Sequence, residues 1–132
     1  RGSHPYKNIL LPITEGASVI PLARLAFDLA RIHKASVTLV TVTAPRFVVG
    51  TRAVDEQKAA LAKITHLANL YHLSVEEEHR EGNPVEEILR LSEDFQLMIL
   101  SHRRGRKPSF FNPDVSQHLF RRAKITTLAL PV

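Results

Sequence analysis

The sequence predicts an α/β fold: a three-layer, doubly wound parallel sheet of five strands. Three observations carry that expectation. Short apolar runs rich in β-branched residues recur along the chain, separated by stretches of helical apolar spacing. The alternation runs β-α-β-α-β-α-β-α-β without an internal repeat, and right-handed crossovers turn such an order into a parallel sheet covered on both faces. The first apolar run, "NILLPI", is continuous rather than alternating, as a strand buried on both faces requires.

The first strand is expected over residues 7–14, "KNILLPIT". A turn at "EGAS" follows, with Ser18 as a helix N-cap. The first helix places Leu22, Leu25, Ala26, Leu29 and Ile32 at helical spacing, and Pro21 is tolerated because it falls in the first turn. "SVTLVTV" (36–42) is the second strand, and "TAPRFVVGTR" (43–52), with Pro45 and Gly50, is expected as a loop. The second helix runs from about Val54 to Tyr71, with Val54, Leu61, Ile64, Ala68 and Tyr71 on one face. "LSVEEEHREG" (73–82) is charged and weakly alternating, the character of an edge strand. Asn83 as N-cap, Pro84 at the first helical position and Glu86 at the capping-box position start a third helix that runs to about Asp94. "QLMILS" (96–101) is the fourth strand, a short helix near Pro113–Arg122 follows, and "ITTLALPV" ends the chain as the fifth strand.

Residues 1–4, "RGSH", read as an expression-tag remnant, and residues 5–132 as a single domain. No apolar run reaches the about 18 residues of a membrane span, and no signal-peptide pattern opens the chain. The absence of cysteine excludes disulfides, thiolate metal ligands and a cysteine nucleophile; with it goes the expectation of a cytoplasmic location. The formal charge of +5 is local. Residues 98–132 carry seven Arg or Lys against one acid, Asp114, whereas the preceding residues carry 11 basic to 12 acidic. A positive field of this kind suits an anionic ligand or partner, or a plain solvated surface.

Open parallel sheets bind ligands beyond the carboxyl ends of their strands, where the strand order reverses. The loops to watch are therefore "TEGAS", "TAPRF" and "SHRRGRK". The order and spacing of "NILLPIT", "ASVTLVTV", "EGNPVEEIL" and "LMILSHRRGR…DVSQHLFRRAKITTLAL" resemble the universal stress protein family over nearly all of residues 6–132. The resemblance implies a Rossmann-like sheet, and a nucleotide site in which an Asp after the first strand and backbone after the second hold the adenosine. A G-x-x-G-x9-G-[ST] stretch then wraps the phosphates, because glycines let amides approach and the next helix adds its dipole.

This chain departs from that pattern. Thr14 takes the Asp position, Ser101 the first glycine, Arg104 or Gly105 the second, and Pro113-Asp114 the final Gly-Ser, with a shorter span between. The Asp114 carboxylate would repel a phosphate, while an acid in a first helical turn is favoured in its own right. ATP in the family's usual pose is therefore not expected. Arg103, Arg104, Arg106 and Lys107 are the alternative source of positive charge, since arginine forks bind phosphate bidentately, and Ser116 matches the family's second serine.

The candidate ligand set is Pro12, Ile13, Thr14, Thr41, Val42, Thr43, Ser101, His102, Arg103, Arg104, Gly105, Arg106, Asp114, Val115 and Ser116. ATP, AMP or another nucleotide is the ligand class, with no certain cofactor. No catalytic residue is assigned: no Ser-His-Asp arrangement is legible, and His102 is the one histidine placed near the loops. No metal site is expected either. His66 and His72 lack i, i+4 spacing, and the glutamates of "VEEEHRE" alternate between strand faces. Nucleic acid through Phe110 and Phe111 is set aside, because adjacent phenylalanines serve better to anchor a loop. The hydrophobic last strand invites pairing with a second copy, as family members do, through Thr127, Leu128, Ala129 and Leu130, with Pro131 limiting the ladder. The expected function is a regulatory or binding domain that acts as a homodimer. The alternatives are an anion- or nucleotide-binding domain with slow ATPase activity using residues 101–107, and a soluble docking domain of a larger membrane transporter.

Overall fold

The computed structural model describes residues 7–13, 19–43, 46–102 and 115–131, with the backbone alone at 19, 46–54, 56, 102, 116 and 131. The elements are β1 (Asn8–Pro12), α1 (Val19–His33), β2 (Ser36–Thr43), α2 (Arg46–Leu70), β3 (Val75–Glu81), α3 (Pro84–Ser92), β4 (Leu97–His102), α4 (Val115–Arg122) and β5 (Thr126–Pro131). All five strands join one parallel sheet in the order β3-β2-β1-β4-β5. The chain thus winds outward from β1 to β3, returns across β1, and winds the other way. The switch point lies between β1 and β4.

Strand alternation divides the core in two. Ile9, Leu11, Ile13, Val37, Leu39, Leu97 and Ile99 pack with Leu22, Ala23, Ala26, Phe27 and Ala30 of α1 and Ile64 and Ala68 of α2. Leu10, Val40, Val42, Met98 and Leu100 pack on the other face with Ile88 and Leu91 of α3 and Leu119 of α4. A central strand that feeds both clusters must be apolar at every position, which accounts for the unbroken run in β1.

Two expectations are corrected. Ile32 is 69% exposed rather than inward. At about 3.6 residues per turn the buried stripe is centred on Ala23, Ala26, Phe27 and Ala30, and Ile32 falls on the far side of it. The expected loop over 43–52 is also overturned, because residues 46–52 are the opening turns of α2. One internal glycine, Gly50, costs about 1 kcal/mol of helix propensity, which a cooperative helix of 25 residues tolerates. The Ser18 cap and the start at Pro113 lie outside the described residues.

The Asn83–Pro84 helix start holds. The Asn83 side chain accepts from the Glu86 N–H at 3.0 Å, worth about 1 kcal/mol as a cap. The Glu86 carboxylate does not close the capping box; it pairs with Arg122 of α4 at 3.0 Å. Gly82 before the cap has φ +133°, a region that L side chains rarely adopt, and its N–H donates to the Thr43 carbonyl at 3.1 Å. This bond ties the end of β2 to the end of β3. Helices α1 and α2 end on non-glycine residues in the left-handed region, Lys34 (φ 53°) and His72 (φ 59°). The next amides, Ala35 and Leu73, reach back to the Ala30 and Ala68 carbonyls at 2.9 Å each, which closes both helices.

Candidate functional site

The carboxyl ends of β1, β2 and β4 form the candidate crevice. β1 and β2 run in register from Asn8↔Ser36 to Pro12↔Val40, and the Ile13 N–H continues the ladder to the Val40 carbonyl at 2.8 Å. β1 and β4 pair as Ile9↔Leu97 and Leu10↔Met98, which carries Ser101 to the level of Ile13. The fold therefore gathers Pro12, Ile13, Thr41, Val42, Thr43, Ser101 and His102 at one end of the sheet, astride the switch point. Val115 is half-buried at the start of α4, and Ser116 follows it in the first turn. Thr14, Arg103, Arg104, Gly105, Arg106, Lys107 and Asp114 lie outside the described residues, as do the side chains of His102 and Ser116.

Among the described residues of this set, Ser101 and Thr41 are the buried hydroxyl-bearing ones. Ser101 is 3% exposed and alternates with Leu97 and Ile99 toward the α1 side. Thr41 is buried, and its hydroxyl meets His79 Nδ1 at 2.9 Å. The other ring nitrogen, Nε2, lies 3.3 Å from the Thr43 hydroxyl. Register explains this bridge, since β3 pairs with β2 as Thr41↔His79 and parallel partners share a face. From α2, the Gln57 side-chain amide donates to the Val42 carbonyl at 3.3 Å. Sequence reasoning found neither His79 nor Gln57. Both are ordinary polar residues in their own elements, and only strand register and helix docking bring them to the crevice.

Elsewhere on the described surface, several charges are paired. Arg90 pairs with Glu87 at 2.8 Å and Arg80 with Glu78 at 3.3 Å. Arg122, part of the expected positive field, is engaged by Glu86. A groove of about 300 Å³ between α3 and the start of β5 is lined by both signs of charge, including Glu86, Glu93, Arg90 and Lys124. It opens near Ile125, where β5 begins, at the opposite end of the strands from the crevice. Among the described residues, no three His, Asp or Glu side chains gather around a common metal position, and no helix is long and apolar enough to cross a membrane.

The two sheet edges differ in character. β3 exposes Glu76, Glu77, His79 and Glu81, a charged edge that discourages strand addition. β5 carries no charge over Thr126–Pro131. Thr127 and Leu130 are half-buried there, Ala129 is exposed, and Leu128 is 39% exposed.

With sheet order and crevice in place, the decisive comparison is with protein families: the family model described as "Universal stress protein family" matches residues 5–131. The chain belongs to the universal stress protein family. Solved universal stress proteins share its fold at low identity. A protein of the family from Burkholderia pseudomallei superposes with a TM-score of 0.71 at 16% identity, over 97% of this chain and 98% of its own. A universal stress protein in complex with cAMP gives 0.70 at 17% identity, over 96% and 97%. The universal stress protein from Archaeoglobus fulgidus in complex with dAMP gives 0.67 at 14% identity, over 94% and 97%. No curated protein matches the chain by sequence.

Proposed function

We propose that this universal stress protein domain is a regulatory binding module, not an enzyme, whose crevice takes a nucleotide in a pose other than the glycine-cradled one. The observation that carries this reading is the convergence of the β1, β2 and β4 ends at the switch point, followed in sequence by a loop with basic side chains where the family has glycines. The nucleoside sits at the strand ends near Ile13 and Val42, and the arginines of residues 103–106 hold its anionic part. The complexes with cAMP and dAMP support the nucleotide class.

Calorimetric titration of the tag-free protein tests this. If side chains rather than a glycine cradle hold the anion, AMP and ATP should bind within about tenfold of one another. A preference for ATP of about a hundredfold or more would restore the usual pose. Phosphate release above a buffer blank would turn the reading toward a slow ATPase.

A docking function is favoured by a separate observation, the uncharged β5 edge with its exposed Leu128. Pairing of this edge with a second copy makes the protein a homodimer. Leu128→Lys places a charge in that ladder and should shift the sedimentation coefficient from dimer to monomer at micromolar concentration. A wild-type protein that sediments as a monomer throughout would end the dimer reading.

A further inference from the structure

Helices α1 and α2 lie on the same face of the sheet and end at one corner, beside the amino-terminal ends of the strands they lead into. The contact that marks this corner is the Arg31 guanidinium of α1 over the ring of Tyr71, just past α2, at 5.9 Å. One residue along from each partner stand Ile32 and Leu70, 69% and 65% exposed, the two most exposed of the large apolar side chains described. Neither belongs to the buried stripe of its helix, which Ala26, Phe27 and Ala30 form on α1 and Ile64 and Ala68 on α2.

The corner is also basic. Residues 29–38 and 60–75 carry Arg31, Lys34 and Lys63 and no acid. Residues seven apart share a helix side, so Arg24 stands in line with Arg31, and Lys63 with Leu70; Asp28 is the one acid of α1. All four cations are exposed, and among the described residues no carboxylate pairs with any of them. Arg80, Arg90 and Arg122, in contrast, are paired. The field of a helix end favours a cation such as Arg31 in the last turn, but it fades within that turn and does not reach Arg24 or Lys63.

We propose that this corner is an interaction surface for an anionic lipid bilayer, with Ile32 and Leu70 entering the headgroup layer and Arg24, Arg31, Lys34 and Lys63 meeting lipid phosphates. Two apolar side chains that project from helix ends offer a rigid protein little area to cover, whereas a headgroup layer closes around them. Each basic residue held near an anionic leaflet strengthens binding about fivefold. The crevice lies at the opposite end of the strands and stays open to solvent, so the inference stands apart from the nucleotide reading.

Vesicle flotation tests this, with phosphatidylcholine alone and with phosphatidylcholine and phosphatidylglycerol in equal parts. The wild type should float with the anionic vesicles only, and high salt should release it. Arg24→Ala with Lys63→Ala should weaken that binding by roughly 10- to 30-fold, and Ile32→Ser with Leu70→Ser by about tenfold. Arg121→Ala with Lys124→Ala removes the same charge from the α4 side and should stay within about twofold of wild type. A wild type that floats with neither vesicle overturns the proposal, as does one that floats equally with both. Full retention in either corner variant overturns it too, and so does an equal loss in the two charge-removing variants. Retention on polyglutamate without vesicle binding assigns the corner to an acidic protein and likewise overturns it. Every substituted side chain is exposed, and urea midpoints verify that each variant keeps the fold.

Discussion

Phe27→Ala is expected to lower the unfolding free energy by about 3–5 kcal/mol, the largest stability effect of any substitution considered. Phe27 is fully buried (0% exposed) and lies in the cluster that joins α1 to α2 and to the sheet. Its ring sits 5.5 Å from that of Tyr71, tilted by 57°. Tyr71 in turn lies under the Arg31 guanidinium, 5.9 Å from its ring centre, so the aromatic pair also anchors the last turns of both helices. Truncation removes the transfer free energy of the ring and leaves a cavity between two helices that strand packing holds apart. Since a domain of this size has only about 5–15 kcal/mol of stability, Phe27→Leu serves as the milder companion. It should fall between wild type and Phe27→Ala in urea midpoint at constant m. A loss below about 1 kcal/mol for Phe27→Ala would mean that Phe27 does not occupy the core position described.

Replacing Arg103, Arg104 and Arg106 together by alanine is expected to weaken AMP and ATP binding on the order of a hundredfold or more. Charge-assisted hydrogen bonds contribute about 1.5–3 kcal/mol each, and two such bonds lost together reach that range. The same change should flatten the dependence of binding on ionic strength, because the screened charges are the ones removed. Titration at low and high salt reads both effects at once. Binding that survives the triple change, with its salt dependence intact, would assign the anion to other groups.

Much of the fold was legible because its signals are local. The unbroken apolar run of β1, the β-branched run of β2, and Asn83–Pro84 before α3 each state their structure within a few residues. Likewise, the charge of β3 marked it as an edge strand before the sheet order placed it there. Sequence and structure differ where a local signal is outweighed by the rest of its helix. Gly50 suggested a loop where a long helix absorbs it, and Ile32 suggested a buried face one helical side away from the true one.

The candidate site divides along the same line. The sequence by itself determined the order of elements, and with it the family and the three strand ends that frame a crevice, because connection rules convert alternation into topology. The departure from the family's glycine pattern is an expectation drawn from the sequence alone, with Ser101, Arg104 or Gly105, and Pro113-Asp114 at the positions compared. Only the tertiary structure decided what those strand ends meet. His79 reaches Thr41 and Thr43 because β3 pairs with β2 in one particular register, and a shift by one residue would turn it to the other face. Gln57 reaches Val42 because α2 packs on that face of the sheet at one particular depth. Register and docking depth are set by the fit of whole apolar surfaces, in which no single residue carries a readable signal.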